Sequence, residues 1–375
     1  MDTLDTLETP VLLLERTRLD DNLARLREHL RPWPHLTLRP HMKTAKCVEV
    51  ARLAAGEGGP VTVSTLHEAE YLADHGFDDI LYAVGLSAGK LPRLGRLAAR
   101  VRHMGVILDN MAAARALVAF HDQGGPRLPA LIEIDTDGHR SGLRPDQGEL
   151  IDIGEVLDAA GLLDGVLTHA GESYGSTSEA DLERYAALER AGVVKAADRL
   201  RAAGLACRVV SVGSTPTALY GQDFTSVTEV RAGVYMFQDL VMAGAGVCTP
   251  ADLALSVLCT VIGHQEQKGW VIVDAGWMAL SRDRGTQKQR VDQGYGLVCD
   301  LDGRLIDDLI VLSANQEHGV IADRNGAPVD PARFPFGARL RILPNHACAT
   351  AAQHGAYTVV KDGVVIDRWA RERGW

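Results

Sequence analysis

A (β/α)8 barrel followed by an all-β domain is the fold class this sequence predicts, and three observations predict it. Short β-like runs, eight in number, alternate with helical stretches through the first two thirds of the chain. No GxGxxG loop follows the first of them, and eight units suit closure better than the rival doubly wound open sheet. Beyond residue 243 the alternation stops, and short runs split by Gly, Asp and Asn take over.

The elements follow in order. TPVLLLE predicts a strand over 8–16 that joins the later β domain, because it precedes the helix leading into the barrel. In RTRLDDNLARLREHL, Leu19, Leu23, Leu26 and Leu30 share one stripe, as an amphipathic helix requires. The barrel strands are expected at HLTLRP, VTVST, DILYAV, GVILD, ALIEID, GVLTHA, RVVSVG and VTEVRAG. Between them lie helical patterns such as LHEAEYLADHG. The longest, EADLERYAALERAGVVKAADRLRAAG, repeats apolar residues at three- and four-residue steps until Gly204 stops it. The barrel is thus expected over 20–242 and the β domain over 243–375. Strands of the latter are LALSVLCTVIGHQ, GWVIVDAG, YGLVCD, LIVLSAN, LRILPNHAC and YTVVKDGVVIDRW.

The bulk properties exclude several function classes. The 375 residues carry 46% hydrophobic and 23% charged side chains, enough for a sizeable core. A net charge of −10 argues against general nucleic-acid binding. No apolar run approaches the roughly 18 residues of a membrane span. MDTLDTLETP lacks a signal-peptide core, so a cytoplasmic protein with no membrane partner is expected. Cys47, Cys207, Cys248, Cys259, Cys299 and Cys348 form no CxxC pair, as expected of reduced thiols.

Functional residues of a barrel sit just past the C-terminal ends of its strands. Lys43, in RPHMKTAK, follows strand one, and Ser64 and Thr65 follow strand two. Arg140, in DTDGHRSG, follows strand five; His169 and Tyr174, in THAGESY, follow strand six. GSTPT follows strand seven and RAGVY strand eight. Those last two loops are the usual barrel phosphate site, where glycines admit an anion to backbone N–H groups. Ser214, Thr215 and Thr217 add hydroxyl donors. GSTPT also reads as a helix cap, with Thr215 preceding Pro216 at the first helical position, and the two roles are compatible. A lysine and a phosphate cradle on one rim suggest pyridoxal phosphate, which needs an amine, an anion anchor and groups that tune its ring. An ordinary surface lysine is the alternative for Lys43, and Lys46 competes with it about one turn further on.

A second constellation is PNHAC. On a strand, His346 and Cys348 would project to one face. Imidazole and thiolate suit zinc or a similar divalent ion, and two ligands leave positions open for water or substrate. A buried cysteine beside a turn histidine is the alternative. Glu317 and His318, in NQEHG, are candidate supporting partners or a binding surface.

These segments together resemble the fold-type III pyridoxal phosphate enzymes, whose N-terminal domain is like that of alanine racemase. More narrowly the chain is similar to the D-serine dehydratase and D-threonine aldolase group. RPHMKTAK resembles the group's cofactor-lysine motif and PNHAC its metal motif. The likeness runs nearly end to end through VSTLHEAE, EIDTDGHRSG, LTHAG, VVSVGSTPTAL, TEVRAGVY, VDAGWMALSRDRGT, ANQEHG and RILPNHACAT. Two departures are Glu15, where the group usually has Asp, and Met42, where it has a branched residue.

The resemblance implies that Lys43 carries pyridoxal 5′-phosphate and acts as the base. It places Arg140 near the ring oxygen, Tyr174 near the ring, and Ser214, Thr215, Gly233 and Val234 on the phosphate. It places a divalent metal (zinc, or manganese, cobalt or magnesium) on His346 and Cys348. It further implies a homodimer, each site formed by a barrel and a β domain of the same or the other subunit. The implied reaction removes water from a small-molecule D-β-hydroxy amino acid, D-threo-3-hydroxyaspartate giving oxaloacetate and ammonia. D-Serine dehydration and retro-aldol cleavage are the enzymatic alternatives. The group's aldolases tend to carry Asp where this chain has Cys348, which favours dehydration. A cofactor carrier without activity is the non-enzymatic alternative, and a metal-dependent barrel hydrolase a third; the second domain and the His346–Cys348 pair argue against the carrier.

Overall fold

A computed structural model describes residues 3–375. It divides into two compact units: residues up to Arg25 with Val234–Arg373, and Leu26–Gly233 with the last two residues.

The strands in chain order are β1 (Val11–Glu15), β2 (Thr37–Leu38), β3 (Val61–Val63), β4 (Asp79–Gly85), β5 (His103–Leu108), β6 (Ala130–Ile134), β7 (Leu163–Thr168), β8 (Val209–Val212) and β9 (Glu229–Val230). Then come β10 (Leu255–Gln265), β11 (Trp270–Val273), β12 (Gly296–Cys299), β13 (Leu305–Ala314), β14 (Gly319–Asp323), β15 (Arg339–Pro344), β16 (Ala356–Lys361) and β17 (Val364–Ala370).

All eight predicted barrel strands exist. They form one parallel sheet in the order β2-β9-β8-β7-β6-β5-β4-β3. A parallel bridge between His41 and Thr62 joins its two edges, with Thr62 N–H donating to the Pro40 carbonyl at 2.9 Å and Met42 N–H to the Thr62 carbonyl at 2.8 Å. Parallel barrel strands are covered on both sides, so β6 and β7 are buried along their whole length, and Leu81, Ile107, Leu131 and Leu167 pack as one cluster across four of them. The long predicted helix is Glu179–Ala202, and Gly204 just beyond it takes the left-handed φ of +79° that ends such a helix.

In the other unit β1 lies between β10 and β16 in a nine-stranded sheet. Pairing of β10 with both β15 and β11 closes β10, β15, β12, β13, β14 and β11 into a ring, which removes their free edges. Two details depart from expectation. β14 was not expected, because its five residues begin at the last glycine of the polar NQEHG segment. YTVVKDGVVIDRW is a hairpin rather than one strand: Asp362 and Gly363 both have positive φ, as a two-residue hairpin turn demands. All six cysteines are free thiols, and no helix among the described residues is long and apolar enough to cross a membrane.

Candidate active site

The rim of the barrel begins where β2 runs on as hydrogen-bonded backbone. Arg39 N–H donates to the Val230 carbonyl and His41 N–H to the Ala232 carbonyl, at 2.9 and 2.8 Å. Lys43 is the second residue past that rung. Its neighbours Met42, Thr44 and Ala45 are fully buried while Lys43 itself is exposed. Lys46, the competitor, adopts a positive φ of 45° and turns to the buried Glu68, Nζ to Oε2 3.9 Å. Glu68 in turn accepts the N–H groups of Ser64 and Thr65 at 3.1 Å, so these loop residues serve a helix cap.

Two histidines of the rim, His41 and His169, are kept neutral. Burial, reinforced by Lys43, Arg140 and Arg231, pushes His169 down to about 3. Burial, with Lys43, Arg231 and His169, takes His41 well below its ordinary value. His169 Nδ1–H donates to the Gly213 carbonyl at 2.6 Å, which leaves Nε2 as the bare nitrogen. Arg231 is buried and donates to the Thr168 carbonyl at 2.5 Å and to Ser211 Oγ. Ser211 Oγ–H passes the chain on to Glu229 at 2.7 Å, and Arg39 binds both Glu229 (2.6 Å) and Asp79 (2.7 Å). Arg231 is therefore held from beneath by a ladder of paired charges.

Arg140 is exposed, 3.8 Å from Glu133. Tyr174 lies in the short turn Gly171–Gly175, its ring 6.0 Å from that of His169. The helix after β8 is Thr215–Tyr220, and its cap is Ser214 rather than Thr215: the Ser214 hydroxyl accepts Thr217 N–H at 3.2 Å, and Pro216 stands in the second helical position. The cap moves by one residue because Ser214 is the last with extended backbone, φ −145° and ψ 163°. Gly213 is required: a Cβ there would lie 2.2 Å from the Arg231 carbonyl oxygen. Gly233 is less tightly placed, a Cβ there lying 3.0 Å from the His41 carbonyl oxygen, and Val234 follows it at the start of a 3-10 turn.

In the β-domain unit the predicted strand geometry of PNHAC is corrected. β15 ends at Pro344, and His346 caps the short helix Ala347–Ala351. Pro344 and the Asn345 turn break the ladder, so two-residue alternation does not bring the ligands together; the cap does. The Cys348 side chain hydrogen-bonds to His346, and His346 Nδ1–H donates to Asp283 Oδ2 at 2.6 Å. Burial opposes a charge on His346, but Asp283, Cys348 and Asp239 outweigh it and raise the imidazole to about 11.

The turn itself is braced. Asp239 accepts both Met242 N–H and Ala347 N–H at 2.9 Å, and Asn345 accepts from Thr286 and donates to the Gly294 carbonyl, both at 2.6 Å. Asp283 is thus the carboxylate hydrogen-bonded to His346, a partner the candidates Glu317 and His318 do not supply in the described residues. Those two are exposed, in a turn whose backbone carbonyls at Asn315 and Gln316 hold Trp277 and Met278.

Imidazole and sulfur meeting around one shared proton is a donor pair that a soft or borderline divalent cation fits. Among the described residues no group of three or more His, Cys, Asp and Glu side chains is arranged to hold a metal by itself. The rim fits an anionic, phosphorylated aldehyde cofactor equally well: an exposed lysine, two further cations, neutral imidazoles and hydroxyls at a glycine-bordered helix start.

Residues 14–240 match the alanine racemase N-terminal domain model, and residues 254–360 match a serine dehydratase domain. The chain belongs to the alanine racemase N-terminal domain family. This confirms the resemblance drawn from the motifs. It is 52% identical over the full length of both chains to D-threo-3-hydroxyaspartate dehydratase of Delftia sp. HT23. The solved structure of that enzyme superposes with a TM-score of 0.97 and covers all of both chains. A variant of it with a cysteine changed to alanine is described as metal-free. More distant family members are D-serine dehydratase of Dictyostelium discoideum, 26% identical over 100% and 99% of the two chains, and 3-hydroxy-D-aspartate aldolase of Paracoccus denitrificans, 28% over 98% and 93%.

Several residues of these sites escaped sequence reasoning. Asp283 lies 63 positions from His346 and nothing local marks it. Arg231 carries one signal, a cation at the end of an otherwise buried strand. Glu189 carries another, a lone acid on the apolar stripe Leu182, Val193, Ala196, Leu200.

Proposed function

We propose that the chain is a pyridoxal phosphate- and divalent-metal-dependent dehydratase that eliminates water from a D-β-hydroxy amino acid, D-threo-3-hydroxyaspartate foremost. The observation that carries the reading is the His346–Cys348 pair, braced by Asp283, in a chain alike over its whole length to a dehydratase. When bound, the cofactor supplies an electron sink for the Cα carbanion and the metal a Lewis acid for the departing hydroxyl.

The chain's own groups do the rest. Lys43 Nζ holds the cofactor and takes the α-proton. His41 and His169 stay neutral because burial and the field of Lys43, Arg140 and Arg231 oppose a proton there, and the same field favours anionic groups. Ser214, Thr215, Gly233 and Val234 would hold the phosphate, and Arg140 and Tyr174 would serve the ring. His346 Nε2 and Cys348 Sγ would hold the metal, zinc, manganese, cobalt or magnesium, while Asp283 keeps the histidine proton on Nδ1. Net reaction converts hydroxyaspartate to oxaloacetate and ammonia, the water lost being regained in the final hydrolysis. A homodimer in the cytoplasm completes the reading.

Incubation with D-threo-3-hydroxyaspartate tests it: oxaloacetate plus ammonia is expected, whereas glycine plus glyoxylate selects the retro-aldolase that the Paracoccus relative exemplifies. Retained cofactor with no turnover of any β-hydroxy D-amino acid, metal supplied, selects the carrier.

A further inference from the structure

Helix Glu179–Ala202 buries the stripe Leu182, Val193, Ala196, Ala197 and Leu200, and Glu189 lies on it at 2% exposure. A buried carboxylate is costly unless its oxygens find donors. These donors come from two loops far apart in sequence. Ala170 N–H, after β7, and Gly213 N–H, after β8, both donate to Glu189 Oε1, at 3.1 and 2.9 Å. The Thr217 side chain hydrogen-bonds to the same carboxylate. Elsewhere the loops are stitched together by His169 to the Gly213 carbonyl (2.6 Å) and by Ser173 Oγ with Ser214 Oγ (3.0 Å). Among these links only Glu189 reaches back to the helix layer, so it ties the joined loops to that helix.

We infer that Glu189 is a positioning residue for the cofactor's phosphate: it touches no reacting atom, and it fixes the Gly213–Thr217 loop against the His169–Tyr174 loop. This rests on reading the Gly213–Thr217 loop as the phosphate anchor. A carboxyl oxygen suits the place, because two amide N–H groups converge on Oε1. A leucine, which the stripe otherwise calls for, would leave both amides buried without a partner. Gly213 cannot retreat to compensate, since its backbone already abuts the Arg231 carbonyl.

The test compares holoenzymes: wild type, Glu189→Ala, Glu189→Gln, Glu189→Asp and, as control, Leu182→Ala on the same stripe. Two quantities are read, the rate at which bound pyridoxal phosphate leaves on dilution, from its visible absorbance, and the melting temperature. Glu189→Ala should release the cofactor about ten- to a hundredfold faster, the range for losing a buried hydrogen bond to a charged group. Glu189→Gln keeps an acceptor oxygen and should restore most of the retention. Leu182→Ala should lower the melting temperature without speeding release. Release from Glu189→Ala at the wild-type rate overturns the inference, as does equal acceleration by Leu182→Ala. If Glu189→Ala does not fold, Glu189→Asp, one methylene short of the amides, decides: faster release supports the role and wild-type release removes it. Wild-type protein that carries no pyridoxal phosphate overturns the underlying reading; wild type that carries it, with unaffected Glu189 variants, overturns only this one.

Discussion

Histidines at the barrel rim and in the β domain sit in opposite electrostatic surroundings. Burial and neighbouring cations strip the proton from His169 and His41. At His346 burial pulls the same way and loses to Asp283, Cys348 and Asp239. Neighbouring charge decides: cations surround the two rim rings, whereas carboxylates and a sulfur surround His346. The lesson is about guests. A rim whose imidazoles are neutral among lysine and arginines is arranged for an anion. A turn whose imidazole is ringed by carboxylates and a thiol is arranged for a cation.

The largest expected effect tests the rim. Lys43→Ala should abolish the visible cofactor absorbance and cut turnover by roughly a hundred- to ten-thousandfold, the span of a lost general base. It should leave metal content, measured by atomic absorption, unchanged. An indifferent variant would break the comparison by removing the amine from the chemistry.

The β-domain turn comes next. Asp283→Asn should weaken metal binding about ten- to a hundredfold, since the histidine then loses the carboxylate that orients it. Calorimetric titration of metal reads this directly, and cofactor retention should not move. Chelation should likewise stop ammonia release while the cofactor absorbance persists, with activity returning as each divalent metal is added back.

A smaller effect comes from pH. His169 falls from 6.5 in the unfolded chain to about 3 in the fold, so between those values the unfolded chain binds the extra proton. Its stability contribution is thus complete above pH 6.5 and drains as pH falls, by about 2 kcal/mol between pH 6.5 and 5. Urea unfolding at stepped pH should show that slope, and His169→Gln should flatten its share. The smallest effect is at the cap. Ser214→Ala should cost about 1 kcal/mol of stability. A larger loss of cofactor retention than of stability would show Ser214 serving the anion as well as the helix.

Sequence and structure part company at identifiable places. The eight barrel strands were legible because each is a short apolar run ended by a polar or glycine-rich loop, and rim residues follow from strand ends alone. The place of Lys43 just past the barrel rim was legible from the strand it follows. The geometry of His346 and Cys348 was not: alternation along a strand was expected, and a helix cap past Pro344 does the work instead. β14 was hidden by its polar neighbour, and the cap at Ser214 by a one-residue ambiguity that only backbone dihedrals resolve.

What the sequence by itself determined is therefore the local and the periodic: strands, helices, glycines that allow close approach, and short motifs with a lysine or a His-x-Cys. What only tertiary structure decided is who stands beside whom across long separations: Asp283 on His346, Glu189 beneath two loops, Arg231 on its ladder of charges. The physical reason is that hydrogen bonds and charges act over a few ångströms of space, whatever the distance along the chain, and folding alone makes distant residues near.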